Sequence, residues 1–341
     1  MNSTRRNHRV VVTKRGGPEV LQLIEEDLPQ PATSEVRVKV LAAGVSAYDL
    51  MARSFWFPGD PSPPFTPGED VVGMVDALGH GVSTFAIGDR VAAWTFGDGG
   101  GYSEYTCIHA DRLVRVPADL DPAEAVAVVV NYLTAHLHVH QTAEAHTGER
   151  VLIHGAAGGL GSALLQVGRL AGLEMYGTAS GHNHDFVAGL GATPIDYRNE
   201  DFVARVMELT HDHGVDVVFD TVGGMRQLWR SYRCLSPRGR LVPMGSTATK
   251  QVGAKSIPLG LLTIGALKLI PDHKRIGLTP NMMKYPRSHM DWYRDTLTEL
   301  LDLASCGKIE PTVRHHIPLA EAASAHDLIE RSAHTGKVVL V

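Results

Sequence analysis

Three cysteines, Cys107, Cys234 and Cys306, are all that the 341 residues contain. Odd in number and far apart, they build neither a disulfide framework nor a CxxC metal knuckle, and they fit a reducing cytoplasm. An excess of positive charge is also missing. Lys and Arg number 32 against 37 Asp and Glu, for a formal net charge of -5 and a pI near 6.4. Such a chain has no field that gathers phosphate backbones or anionic lipid, so neither nucleic acid nor membrane is the default partner. The amino terminus, MNSTRRNHRVVV, is basic, yet no signal-peptide core follows it, and the chain reads as soluble and unprocessed. Long apolar runs are scarce. Ile257 to Ile270 (IPLGLLTIGALKLI) comes closest. It is too short to span a bilayer and Lys268 interrupts it, so stable insertion is not expected. A buried helix or a subunit contact is favoured there over a membrane-surface patch.

What is present has globular proportions, 44% hydrophobic and 20% charged, over a length that suggests two domains. Val36 to Ala43, Val71 to Ala77 and Arg90 to Trp94 are short β-branched runs set off by turn residues, the spacing of an all-β barrel or sandwich. A long Ala/Val/Leu helix starts near Pro122. Strands are then expected at Val151 to His154, Glu174 to Thr178, Pro194 to Asp196 and Val215 to Asp220. Helices are expected between them at Gly159 to Leu170, His182 to Leu190 and Glu200 to Thr210. This alternation builds a doubly wound parallel sheet with right-handed crossovers, an α/β class. Pro311 to Pro318 and Gly336 to Val341 return to β character, with one helix between them.

The stretch VLIHGAAGGLGSALLQVGRLAG carries the strongest chemical signal. Gly155, Gly158 and Gly161, with Gly159 and Leu160 between, form a turn from strand to helix. Glycines there let the backbone approach a pyrophosphate, and the helix N-terminus attracts the anion. An isolated glycine motif would be weak, but the required strand and helix flank this one. In NAD-binding chains an acid about 20 positions after the glycines normally takes the adenosine ribose. Here Thr178-Ala179-Ser180-Gly181-His182-Asn183-His184 stands at that place, with no acid before Asp185. Hydroxyls and imidazoles would meet a 2'-phosphate, which favours NADPH. Ser180 could equally cap the next helix.

At these residues the chain resembles the quinone-oxidoreductase branch of the medium-chain dehydrogenase/reductase superfamily. The matching blocks include AAGVSAYDLMAR (42 to 53), TPGEDVVG (66 to 73), GGYSEY (100 to 105), NYLTA (131 to 135), IDYRNEDF (195 to 202) and TGKVVLV (335 to 341). Within the branch, DLMAR, VNYLTA, GTAS and PIDY are most similar to the vesicle amine transport protein family. The resemblance implies a GroES-like β-barrel domain from residues 1–126 and 306–341, and a Rossmann domain from 127–305. It places the NADPH contacts on Thr134, the Gly155 to Gly161 turn, Ser180, Tyr197, Met244 and Gly245, with His184 where relatives often have a lysine facing the 2'-phosphate. A small carbonyl or quinone substrate and a homodimer are also expected.

Zinc alcohol dehydrogenases of the superfamily use a Cys, a His and a second Cys; the corresponding positions here are Ser46, Glu69 and Val130, of which Glu69 alone could bind a metal. No metal is expected. The remaining histidine groups (His136, His138 and His140; His211 and His213; His315 and His316) are read as solvated or hydrogen-bonded. Asp49 and Asp70 could form an acid/base pair, but aspartates at turns and helix starts usually satisfy backbone N–H groups. Ser46, Tyr48 and Asn131, in segments that the family sets around the nicotinamide, are the expected donors to the substrate oxygen, with Tyr48 as proton source. Two neighbouring positions depart from related quinone reductases: Ser46 replaces an asparagine and Met51 a tyrosine. The competing reading is a non-catalytic dinucleotide-binding protein acting through a partner or membrane surface.

Overall fold

The computed structural model describes residues 5–55, 61–244, 256–277, 284–331 and 334–341. The chain forms two compact units, Met1–Leu133 with Met282–Val341, and Thr134–Asn281. The boundary falls inside one helix, α2 (Pro122–Leu137), which follows the shorter α1 (Ala47–Ser54).

In the first unit, β1 (Arg6–Val12) and β2 (Leu21–Asp27) pair as an antiparallel hairpin that the sequence reading did not delimit. A seven-stranded sheet is built from β3 (Glu35–Val45), β4 (Asp70–Leu78), β5 (Arg90–Trp94), β6 (Tyr105–His109), β7 (Leu113–Arg115), β14 (Val313–Ile317) and β15 (Lys337–Leu340). Its order is β14-β15-β3-β4-β5-β7, with β6 also paired to β3. Val36 and Val38 alternate inward along β3, and Val71, Val75, Val91 and Ile108 close the same core. This is the period-2 pattern of a half-buried strand. The helix Met290–Ser305 belongs here too, although the sequence reading drew 127–305 as one domain. Its buried Tyr293 accepts the Trp94 backbone N–H at 2.9 Å and donates to the Arg112 carbonyl at 2.9 Å, fastening it to β5 and to the turn just before β7.

The second unit holds six parallel strands: β8 (Arg150–Ile153), β9 (Glu174–Ala179), β10 (Thr193–Asp196), β11 (Val215–Asp220), β12 (Leu235–Pro243) and β13 (Arg275–Ile276). Their order, β10-β9-β8-β11-β12-β13, reverses direction between β8 and β11, the arrangement of a doubly wound Rossmann sheet. The connections are α3 (Gly159–Leu170), α4 (His184–Gly189), α5 (Phe202–Leu209) and α6 (Met225–Arg233). Leu152, Tyr176, Ile195, Val218 and Leu241 give this sheet one continuous core with Phe202, Val206 and Leu228 of the helices.

The apolar run near 257–270 forms the helix Ser256–Lys268, and of the two readings favoured for it, a buried helix or a subunit contact, the fully buried helix is not what is found. Thr263 and Leu267 face the protein, while Leu261 is 64% and Leu262 71% exposed, because neighbouring elements cover a single face. Among the described residues no helix is long and apolar enough to cross a membrane.

Candidate functional site

The glycine-rich turn follows β8 at the point where the strand order reverses. Gly155 sits at φ 64°, left-handed backbone that only glycine adopts freely. At Gly161 a side chain is excluded outright, since a Cβ would stand 2.1 Å from the Gly155 carbonyl oxygen. The first helical turn therefore lies hard against the strand end. Gly158 caps α3 without a side chain, and the N–H groups of Gly159, Leu160 and Gly161 have no acceptor inside the helix. Three donors and the positive end of a twelve-residue helix make an anion cradle, which fits the pyrophosphate of a dinucleotide.

The next strand end, β9, carries the residues expected to meet the adenosine ribose. Ser180 is nearly buried and makes no side-chain cap; its hydroxyl lies 3.4 Å from His182 Nε2. His184 Nε2 is a buried nitrogen with no hydrogen-bond partner among the described residues. Tyr197 is half exposed, and the Arg198 guanidinium stands over its ring at 5.8 Å. Two charges here escaped the sequence reading. Arg198 is one, and Asp196 is the other. Asp196 ends β10 in register with Ala179, and its Oδ2 lies 3.1 Å from where a Cβ on Gly181 would stand. The Arg198 N–H, and then the Asn199 amide, hold its carboxyl below the usual range. An acid thus does reach this corner, from the adjacent strand. The parallel pairing of two strand ends, not distance along the chain, was the signal.

Met244 follows β12 with its N–H on the Asp220 carbonyl at 2.8 Å, and Gly245 lies outside the described residues. Thr134 is buried in α2, where its carbonyl is bonded by His138 Nδ1 at 2.7 Å. His138 opens a π-helical turn, His138–Thr142, and burial pushes its pKa down to about 4. Asn131 lies three residues before Thr134 on one face of α2 and is partly exposed.

In the first unit, Ser46 caps α1 in a reciprocal box with Asp49. The Ser46 hydroxyl donates to Asp49 Oδ2 at 2.7 Å, so it is engaged rather than free to face a substrate. Asp49 also accepts the N–H groups of Ser46 at 2.8 Å and Gly68 at 2.9 Å, which makes it a structural carboxylate. Burial raises it to about 6. Tyr48, the second residue of α1, is partly exposed. Glu69 is raised to about 8, first by burial and then by Asp49, and it accepts the Gly97 N–H at 2.6 Å and the Thr95 hydroxyl at 3.2 Å. Asp70 pairs with Lys337. At the positions that the family resemblance would assign to a zinc stand an engaged hydroxyl, a hydrogen-bonded carboxyl and the apolar Val130, a set that does not fit a tetrahedral N/S site. Among the described residues no three His, Cys, Asp or Glu groups converge as metal ligands.

Comparison with known proteins places the chain among dehydrogenases, one family match lying within the first unit and the other running across residues of both. The alcohol dehydrogenase GroES-like domain family matches residues 32–118, and the zinc-binding dehydrogenase family matches 190–340. A quinone oxidoreductase of Pseudomonas aeruginosa is 34% identical over 98% of this chain and 99% of its own. The zebrafish (Danio rerio) synaptic vesicle membrane protein VAT-1 homolog is 29% identical over 97% of this chain and 69% of its own. Among solved structures, the Escherichia coli quinone oxidoreductase complexed with NADPH superimposes with a TM-score of 0.84 at 30% identity, covering 98% of this chain and 99% of that one. With 34% identity over 98% of its length to that quinone oxidoreductase, and with both dehydrogenase families matched, the chain belongs to the medium-chain dehydrogenase/reductase superfamily, in its quinone-oxidoreductase-like branch.

Proposed function

We propose that this protein is a zinc-independent, NADPH-dependent oxidoreductase that reduces a quinone or an α,β-unsaturated carbonyl. The observation that carries the reading is the anion cradle of Gly155 to Gly161 at the switch point of a doubly wound sheet. The quinone oxidoreductases that resemble it support the substrate class. When bound, the nicotinamide supplies a hydride, and the protein supplies orientation and electrostatics. Gly159, Leu160 and Gly161 hold the pyrophosphate through their N–H groups. Ser180, His184, Tyr197 and Arg198 surround the ribose end, and Thr134 and Met244 take the remaining cofactor contacts.

Negative charge gathering on a substrate oxygen needs hydrogen-bond donors where no metal stands. Tyr48 is the proposed proton donor and the Asn131 amide a second donor. Ser46, counted with them from sequence, serves by holding α1 through Asp49. The test is NADPH oxidation by purified protein over a panel of quinones, enals and enones, before and after chelation. Turnover on some members, undiminished by the chelator, is expected; loss of turnover on chelation, restored by zinc, would overturn the zinc-independent reading. A second reading, a non-catalytic dinucleotide-binding protein, is favoured by the exposed Leu261, Leu262 and Leu269 and by the VAT-1 relative. Cofactor binding without turnover on any member would select it.

A further inference from the structure

Beneath the glycine turn lies a chain of buried polar groups that sequence reading left unnoticed. His154, the residue before Gly155, is 1% exposed. Its Nδ1 lies 3.0 Å from Thr178 Oγ1 and its Nε2 3.1 Å from Ser231 Oγ. Ser231 in turn donates to Asp220 Oδ2 at 2.7 Å, and Asp220 Oδ1 accepts the N–H groups of Val222 at 3.0 Å and Gly223 at 2.8 Å. At the other end, Gly155 N–H donates to Thr178 Oγ1 at 3.3 Å.

Counting protons orients the whole chain. A carboxylate only accepts, so the single hydroxyl proton of Ser231 goes to Asp220. The Ser231 oxygen must then accept from His154 Nε2–H. That leaves Nδ1 as a lone pair, which takes the Thr178 proton, and the Thr178 oxygen is left to accept from Gly155. Every member is satisfied in one direction: Gly155 to Thr178 to His154 to Ser231 to Asp220. Burial holds the imidazole below its usual range, in keeping with a neutral ring carrying one N–H.

The two ends of this chain are the two loops at the switch point, the glycine turn after β8 and the 221–224 loop after β11. Ligands of doubly wound folds bind in that crevice. Thr221 ties the same two loops a second time, donating to the His154 carbonyl at 2.7 Å.

We propose that His154 is a cofactor-positioning residue, a neutral Nε2–H imidazole that fixes the phosphate turn through Thr178 and Gly155 and the 221–224 loop through Ser231 and Asp220. It rests on the reading of the glycine turn as a dinucleotide site. A buried Ser with His and Asp nearby is not a nucleophile here, because the serine proton goes to the aspartate and the hydroxyl is sealed from solvent.

The test is a double-mutant cycle on NADPH dissociation constants, using Thr178→Val and Ser231→Ala in the full chain. These two hydroxyls do not touch each other and meet only through His154. Loss of one buried hydrogen bond leaves a partner unsatisfied, so each single variant should weaken NADPH roughly tenfold. The double variant should be hardly worse than either, and Ser231→Thr should restore binding. Additive losses, or Ser231→Ala binding NADPH as wild type does, would overturn the role of His154 while leaving the cofactor site intact. Wild-type protein that binds neither NADPH nor NADH would overturn the cofactor reading itself. Nitrogen NMR of the wild-type imidazole needs no variant: protonation at Nε2 is expected, and an Nδ1–H ring would refute the proton order.

Discussion

The Lys337 ammonium stands 2.6 Å from Asp70 Oδ2, both side chains withdrawn from water, and the pair bridges β15 and β4 across 267 residues of sequence. Asp70 Oδ1 is buried without a partner, so the lysine carries the local balance of charge. Lys337→Met should lower unfolding free energy by about 3–5 kcal/mol, since it strands a buried carboxylate. Adding Asp70→Asn should recover much of the loss. Urea titration of the single and double variants checks this; equal stability of the two would show that Asp70 does not need the cation.

Asp196 opposes the phosphate expected beside it. In register with Ala179 and close to Gly181, its carboxylate repels a 2'-phosphate and can accept from a ribose hydroxyl. Asp196→Asn should therefore shift the ratio of NADH to NADPH dissociation constants toward NADPH, by roughly three- to tenfold for a charge at this range near the surface. Fluorescence titration with both cofactors measures it. An unchanged ratio would mean that Asp196 faces away from the ribose.

His326 is wholly buried, bonded to Tyr102 Oη at 3.0 Å through Nε2 and to Arg53 at 3.3 Å through Nδ1. Burial and the Arg53 charge push it down to about 3. A depressed folded pKa contributes stability that is present above the ordinary value near 6.5 and is lost as pH falls toward 3. His326→Gln should be less stable than wild type at pH 7, and the gap should narrow by about 2 kcal/mol at pH 5. Denaturation at both pH values gives the answer. A constant gap would place the folded imidazole near its ordinary pKa.

Glu69 works with the opposite sign. Raised to about 8, it favours the fold below pH 4.5 and loses that contribution as pH rises through 8. Glu69→Gln keeps the shape without the charge, so it should gain on wild type between pH 4.5 and 8, by about 3 kcal/mol at pH 7. Melting curves across that range test the trend, and a flat difference would show that the carboxyl ionises normally.

Tyr48→Phe should lower kcat on an accepted enone roughly 10²- to 10³-fold with NADPH affinity nearly unchanged. Ser46→Ala should instead cost about 1 kcal/mol of stability through the lost cap, with a smaller effect on turnover. Wild-type kcat in both Tyr48→Phe and Asn131→Ala would leave protonation to solvent.

Elements that announce themselves by period or by glycine were legible in the chain. β5, α3 and β11 fall where the pattern puts them: β5 is an apolar run between turn residues in the antiparallel sheet, β11 brings Val217, Val218 and Phe219 to a parallel strand buried on both faces, and a phosphate turn must be glycine-rich. The β1–β2 hairpin was not, since Arg6, His8 and Arg9 face Glu25 and Glu26 and the charges mask its alternation. At the site, Gly155 and Gly161 could be read from chemistry alone. Asp196, Arg198 and the His154–Ser231–Asp220 chain could not. Each depends on which strands become neighbours, and that is a property of the sheet order.

The interleaving of the two units also sets a schedule for biosynthesis. β15 lies between β14 and β3, so the sheet begun by residues 35–115 stays open until residues 313–340 have emerged. At about 5–20 residues per second this is a delay of roughly 10–40 s. The dinucleotide unit, made in one uninterrupted stretch, can fold on the ribosome during that interval. One flank of β3 is paired by β4 and part of the other by β6, so it is the end at Ala43 to Val45 that stays open until β15 arrives and is exposed to wrong pairing in that interval.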